Sequence, residues 1–474
     1  MTDASKKYKY LASNTLLFAI SGFLSKFISL LLVPLYTGVL TTEEYGVADF
    51  LSTTVTMLLP FLTLSIIEAT IRFCISGEQD SMKIFSSTIF VCAFACLICA
   101  VIKPVVSRCS QILDAYYWYF WLIFATTVLE QLLFKFAKGI EKIKVCAFNS
   151  VVIILSTVLL NLLMLLFLKM GLRGYLLTMI FAKLISAGYL FVGVKAWKFF
   201  SLKGIDKSLI KQMLRYSIPF IPTACAWWIN TAADRYIIIG ICGVAANGLY
   251  SMGNKLPSML TLVTSVFQQA WQISGIKEYD KEDYPQFYSK IYCSYVSLIG
   301  IGCSFLIFAS PLIGKILFKN AFYEAWKFTP YLLIGTLFSG ISGILAALFN
   351  AAKKNGLLSI STIFGAVINV AMNFILVKRI GPIGAAIATA VSFGIVWIVR
   401  YCTAQKLCKF EGRLTYSIVM FLLLMAQATV MSFEFKNMYL WSAFLFMLVL
   451  CIHGKSLVRS LLPAINLCKG RRRK

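Results

Sequence analysis

Fourteen apolar stretches follow one another between Leu11 and Leu462, separated by short polar connections. Each has a length of about 18–28 residues, and about 20 apolar residues in a helix span the hydrocarbon core of a bilayer. The approximate limits are 11–39, 45–71, 84–106, 113–134, 145–168, 174–198, 214–242, 248–275, 291–313, 328–350, 357–377, 382–402, 414–432 and 438–461. In lipid a backbone amide must find its partner within the same segment, so these spans are predicted to be α-helices. No connection is long enough to fold as a soluble domain. The predicted class is an all-α polytopic membrane protein with fourteen transmembrane helices. The first stretch is too long for a cleavable signal peptide and carries Lys26 in its middle, so it reads as an uncleaved span.

Composition agrees with the pattern: 59% of residues are hydrophobic and 14% charged, with a mean hydropathy of +0.82. A formal net charge of +26 would suggest nucleic acid in a soluble protein. Here its placement argues against that reading, because no basic and aromatic surface lies outside the spans. With the amino terminus in the cytoplasm, 31 of the 45 lysines and arginines fall on cytoplasmic segments, against 10 outside. In short loops that bias sets orientation, so both termini are expected in the cytoplasm. Basic clusters beside the helices, including Arg471-Arg472-Arg473-Lys474, are expected to meet anionic membrane lipids. The loop from Lys277 to Asp283 carries both signs and reads as a solvated connection. The 14 cysteines mostly sit in apolar spans without paired spacing, where a free cysteine behaves as a small hydrophobe. Cys96 and Cys99 form the sole Cys-x-x-Cys, and the lone His453 supplies no companion ligand. No metal and no cofactor is expected.

Two landmarks recur along the chain. Glu44-Tyr45-Gly46-Val47 and Ala246-Asn247-Gly248-Leu249 each sit between a pair of spans, as do Gly171-Leu172-Arg173-Gly174-Tyr175 and Gly381-Pro382-Ile383-Gly384-Ala385. Offsets of 202 and 210 residues fit a duplicated unit of six spans, although glycines also simply end helices. An even number of spans makes the repeat parallel, with a central cavity expected between two six-helix bundles. The resulting organisation is a first bundle over 1–198, a cytoplasmic linker over 199–213, a second bundle over 214–402, and two additional helices with a basic tail over 403–474.

The run from Asn14 to Phe50, with Pro34-Leu35-Tyr36 ahead of Glu44-Tyr45-Gly46, resembles the start of the bacterial polysaccharide repeat-unit flippases. These form the polysaccharide-transporter branch of the multidrug/oligosaccharidyl-lipid/polysaccharide exporter superfamily. The glycine turns, the 6+6+2 arrangement and the cytoplasmic ends fit it along essentially the whole chain. The resemblance implies a substrate of oligosaccharide repeat units on undecaprenyl diphosphate, moved from inner to outer leaflet of the bacterial cytoplasmic membrane by alternating access. It also implies a polymerase and glycosyltransferases as pathway partners.

Ionisable residues inside spans are costly and mark function or pairing. A lipid-linked sugar carries a diphosphate that needs cations to offset its lost hydration. Lys26, Arg235 and Lys255 lie on the first two spans of each repeat, which line the cavity in the superfamily, so the resemblance makes them the expected anion-binding residues. The one ionisable group at the depth of Lys26 is Lys183, a like charge, so a water-filled cavity or an anionic ligand is its expected surrounding. Asp49, Glu68, Arg72 and Asp234 are candidates for ion pairs or for coupling to protons or sodium. Glu68 and Arg72, four apart on one helix face, are expected to pair. Asp234 or Asp49 can neutralise Lys255 or Arg235, and Glu130 can pair with Lys183. Trp227, Trp228 and Asn230 are candidates for sugar contact, with packing or interfacial anchoring as the plainer role. Asn14, Ser21, Ser25 and Ser29 can wet a cavity or pack helices. Gln268, Gln269, Trp271 and Gln272 can form a polar gate, and Pro34, Pro60, Pro219, Pro222 and Pro257 can bend their helices.

Other functions fit less well. A drug exporter of the same superfamily would want a cavity dominated by acidic residues, whereas the candidate charges here are mixed and lean basic. A lipid II flippase carries several arginines near its first helices, where this chain has Lys26. A membrane glycosyltransferase or glycan polymerase would need a cytoplasmic domain or a long external loop, and the longest cytoplasmic connection runs only over 199–213. No catalytic constellation is present. A transporter, not an enzyme, is the expected class.

Overall fold

A computed structural model of the protein describes residues 26–278, 282–352 and 354–471, the side chains of Cys109, Gln269, Ala270, 272–278, Asn355 and 455–471 excepted. Asn14, Ser21, Ser25 and the last three residues of the basic tail lie outside the described residues, as does the middle of the Lys277–Asp283 loop. Every regular element among the described residues is helical. In chain order those of ten residues or more are α1 (Lys26–Val39), α2 (Thr42–Leu62), α3 (Ile66–Ser76), α4 (Ser81–Val101), α5 (Tyr117–Gly139), α6 (Ile143–Asn161, prolonged by a π-helical turn over Leu162–Phe167), α7 (Gly171–Val194) and α8 (Lys207–Ser217). Then follow α9 (Ile221–Cys242), α10 (Val244–Gly253), α11 (Lys255–Glu278), α12 (Tyr284–Leu317), α13 (Thr329–Ala351), α14 (Asn355–Ile380), α15 (Pro382–Leu407), α16 (Leu414–Ser432) and α17 (Met438–Arg471).

Ten of the described helices are long and apolar enough to cross a membrane, and Lys26–Val39 and Met438–Gly454 are shorter apolar helices. Burial separates their roles. In α13, 78% of the spanning window is buried, so its apolar residues serve packing on all sides; in α6 the share is 17%. An apolar helix left this uncovered is stable only with lipid around it. The chain is a multi-pass membrane protein.

The structure divides into two compact units, Met1–Ala232 and Ala233–Lys474, with the boundary inside α9. In the first unit α5, α6 and α7 pack together and α3 lies against α5; α8 covers α3 and α4. In the second, α13 packs against α11 and α15, α15 against α14, and α17 against α12.

Several predicted spans are interrupted. The stretch 45–71 is two helices, because Thr63 ends α2 and Leu64 and Ser65 adopt the left-handed region at φ 51° and 54°. Pro60 lies a turn earlier and removes one helical hydrogen bond. The freed groups are recovered locally: Ser65 N–H donates to the Pro60 carbonyl at 3.0 Å, and Ser217 Oγ donates to the Leu64 carbonyl at 2.8 Å. Likewise 84–106 becomes α4 and a short helix from Lys103 to Cys109, and 248–275 breaks at Asn254 between α10 and α11.

The landmark glycines do matching work in each unit. Gly171 and Gly381 open α7 and α15 at φ 53° and 67°, conformations that a Cβ penalises. Three residues on, Gly174 and Gly384 let the new helix approach the preceding chain: an added Cβ would sit 3.1 Å from the Met164 carbonyl oxygen and 2.5 Å from that of Leu376. In the first unit the other landmark joins them. Thr41 and Glu44 form a capping box at the start of α2, and Glu44 Oε1 also accepts from Leu172 N–H at 3.4 Å. Tyr36, Tyr45 and Tyr175 then cluster, with ring centroids 4.9–6.5 Å apart. The motif residues that carry the resemblance thus tie α1, α2 and α7 together.

Candidate functional site

Asp234 is the most fully enclosed acidic candidate, 4% exposed in the middle of α9. Its carboxylate accepts from Tyr250 Oη of α10 at 2.7 Å, from Thr389 Oγ1 of α15 at 2.8 Å and from Asn373 Nδ2 of α14 at 3.0 Å. The network extends from Asn369 Nδ2 to the Thr389 and Ser392 hydroxyls, each at 3.3 Å. Asn373 Oδ1 is buried without a hydrogen-bond donor. Among the described residues no ammonium or guanidinium lies within ion-pair distance of Asp234. A buried carboxylate held by neutral groups is chemically suited to accept a proton or a small cation: hydroxyl and amide oxygens can turn towards a cation that replaces the donated hydrogens.

The cationic candidates fall in both units. Lys26 is exposed at the first described position of α1. Arg235, half-buried beside Asp234, points Nε at Ser251 Oγ of α10 at 3.4 Å. Lys255 is half-buried as the first residue of α11, just past the Asn254 break. Asp49 is half-buried on α2, within electrostatic reach of Tyr175. On α9, Trp227 is 65% exposed, Trp228 Nε1 donates to the Thr53 carbonyl at 3.4 Å, and Asn230 Nδ2 donates to the Ala226 carbonyl of its own helix at 2.9 Å. Trp228 is therefore anchored on α2, while Trp227 stays at the surface.

The expected Glu68–Arg72 pair does not form. Glu68 instead takes both oxygens to Lys135 Nζ of α5, at 2.7 and 2.8 Å. Arg72 lays its guanidinium over the Tyr216 ring, 5.4 Å from the centroid. The packing of α3 on α5 brings Lys135 to Glu68, while Tyr216 takes the guanidinium. Together Glu68, Ile71, Arg72, Ile75, Ser76, Tyr216 and Phe220 line an open cleft of ≈ 520 Å³. Elsewhere in this unit Lys183 donates to Thr127 Oγ1, Ser186 donates to Asn149 Oδ1 at 2.9 Å, and Glu130 interacts with Asn149, Ser186 and Lys183. Of the gate candidates, Gln268 Nε2 donates to the Gly340 carbonyl at 2.9 Å and Trp271 packs against Phe287 and Tyr288; the side chains of Gln269 and Gln272 lie outside the described residues.

Pattern reasoning missed the partners rather than the charges. Tyr250, Asn373 and Thr389 are ordinary polar residues 16, 139 and 155 positions from Asp234, so no spacing rule could find them. Arg400, near the end of the predicted span 382–402, is half-buried in α15. It donates to Ser361 Oγ at 2.9 Å, the Ser342 carbonyl at 3.2 Å and Thr362 Oγ1 at 2.8 Å.

Comparison with known proteins adds the lineage. A membrane protein of Methanocaldococcus jannaschii, itself uncharacterized, is 22% identical over 411 residues, covering 82% of this chain and 96% of that protein. The lipid II flippase MurJ, in an inward closed conformation, superposes with a TM-score of 0.68 at 14% identity, covering 94% of this chain and 100% of that one. An inward-facing multidrug resistance MATE family transporter of the MOP superfamily gives 0.62 at 13%, covering 81% and 95%. The Vibrio cholerae MATE transporter VcmN gives 0.58 at 12%, covering 86% and 98%. At such identities the likeness is one of fold. The polysaccharide biosynthesis protein family matches residues 11–272, more than half of the chain, and this protein belongs to that family.

Proposed function

We propose that the protein is a flippase carrying undecaprenyl-diphosphate-linked oligosaccharide repeat units across the bacterial cytoplasmic membrane by alternating access. In this reading it has fourteen spans and cytoplasmic termini. The family match over residues 11–272 in a chain of this fold carries the proposal. Lys26, Arg235 and Lys255 offset the diphosphate charge, and Trp227 offers an aromatic face to the glycan. Asp234 couples the cycle to a proton or monovalent cation; its burial among neutral donors and the unpartnered Asn373 Oδ1 support that role.

Export of surface polysaccharide in cells carrying Lys26→Ala tests the substrate reading. Export should fall at least tenfold, in line with the loss of a charge-assisted phosphate contact, while the protein remains folded in the membrane. Normal surface polysaccharide in that strain removes Lys26 from the mechanism. The fold shared with MurJ favours one second reading, a lipid II-type substrate. Deleting the gene distinguishes them: loss of surface polysaccharide in growing cells supports the first, and arrest of wall synthesis the second.

A further inference from the structure

The cleft lined by Arg72 belongs to the first unit and has a chemistry of its own. Glu68, the acidic group in its wall, is held by both oxygens to Lys135, so its charge is already met. Among the described residues no carboxylate lies within ion-pair distance of Arg72. Its guanidinium carbon lies over the Tyr216 ring, 5.4 Å from the centroid, and Tyr216 itself packs between Phe73 and Phe220, with centroids 6.1 and 5.4 Å away. A guanidinium held over an aromatic ring keeps N–H donors that can meet an oxyanion. The remaining walls are Ile71, Ile75 and Phe220, of which Ile75 is 61% and Phe220 42% exposed. A cleft with a fixed cation and an apolar flank matches an amphiphile with a negative head.

Its neighbour helix supplies the setting. Asp206 caps α8 by accepting from Ser208 and Leu209 N–H, and Leu209, Met213 and Ser217 are its buried side. Lys207, Lys211 and Arg215 recur every fourth residue on the exposed side. Just before it stand Trp197, Phe200 and Leu202, 50%, 45% and 76% exposed. Cations on one face with exposed aromatic and aliphatic residues beside them are the marks of a helix lying at a membrane surface.

We propose that the Arg72 cleft binds the headgroup phosphate of an anionic membrane lipid, with the hydrocarbon chains against Ile71, Ile75 and Phe220, and that α8 lies on the same lipid surface. Ser217, beside Tyr216 in the chain, donates to the Leu64 carbonyl at the break between α2 and α3. Nothing in this proposal depends on the transport reading.

The test uses the full chain in phosphatidylcholine nanodiscs doped with phosphatidylglycerol, with retained lipid read by native mass spectrometry. Arg72→Gln, a change at an exposed position, should weaken retention of phosphatidylglycerol roughly tenfold or more, as expected for removing charge-assisted hydrogen bonds. Tyr216→Leu should weaken it less, because the guanidinium remains but loses the ring it rests over. Competition by inorganic phosphate supports recognition of the phosphate itself. Competition by a polyprenyl phosphate but not by inorganic phosphate supports a lipid-borne group that needs its chain. Equal retention by the native protein and Arg72→Gln overturns the proposal, as does equal retention of phosphatidylcholine, whose phosphate is balanced by choline. Export measured in the same variants separates the two readings: a variant that loses lipid while still exporting fails neither.

Discussion

At Asp234 one carboxylate satisfies groups from three other helices, so the side chain holds the second unit together as well as offering a charge. Asp234→Ala would leave the Tyr250 and Thr389 hydroxyls and the Asn373 amide without their acceptor. Stranding buried polar groups costs about 1–3 kcal/mol. Asp234→Asn retains an acceptor oxygen, and the two hydroxyls can rotate to accept from the new amide, so most of that loss is avoided. Thermal unfolding in detergent should therefore rank native and Asp234→Asn close together, with Asp234→Ala clearly lower. Transport should fail in both. A fully active Asp234→Asn would show that no ionisable group is needed there and would end the coupling role.

Helix connections carry the second kind of information. Gly381 sits at φ 67° and ψ −152°, a region that essentially only glycine occupies. Gly381→Ala should cost about 1–3 kcal/mol, seen as a lower unfolding temperature with the helical content of the folded protein unchanged. A neutral result would mean that the turn relaxes to another conformation. That glycine was legible in the sequence as one of a pair of repeated landmarks, and so were the apolar stretches that became helices. The break at Leu64 and Ser65 was not, because neither residue favours the left-handed region and each is held there at about 1–2 kcal/mol by surrounding contacts; Pro60 was the only local hint. Glu68 shows the same limit among side chains. A four-residue spacing suggested Arg72, but the partner is Lys135, 67 positions away, and that choice was made by the packing of α3 on α5.

For the molecule as a whole, the last two helices present a choice between an appendage and a structural part of the second unit. They lie beyond the repeated landmarks, which suggests that a chain ending after α15 could stand alone. The hydrogen bonding argues otherwise. Gln427 of α16 is 0% exposed and accepts from Ser304 Oγ of α12 at 2.6 Å. Its amide donates to the Ser304 carbonyl at 3.1 Å and to the Ser442 carbonyl and hydroxyl of α17 at 3.2 and 3.0 Å. His453 of α17 meets Ser297 of α12 at 3.2 Å, and Gly300 of α12 packs directly on Met420 of α16. Within a membrane the apolar effect does not drive helices together, so close packing and interhelical hydrogen bonds must do so. These contacts are of that kind. Gln427→Leu keeps the volume but strands Ser304 and Ser442, and should lower stability by about 1–2 kcal/mol, the range found for model interhelical hydrogen bonds in membranes. Ending the chain before Leu414 removes both helices and bares the polar side of α12 to lipid. Size-exclusion chromatography of that truncation in detergent should show loss of the monodisperse peak; a stable, monodisperse product would instead establish α16 and α17 as separable additions.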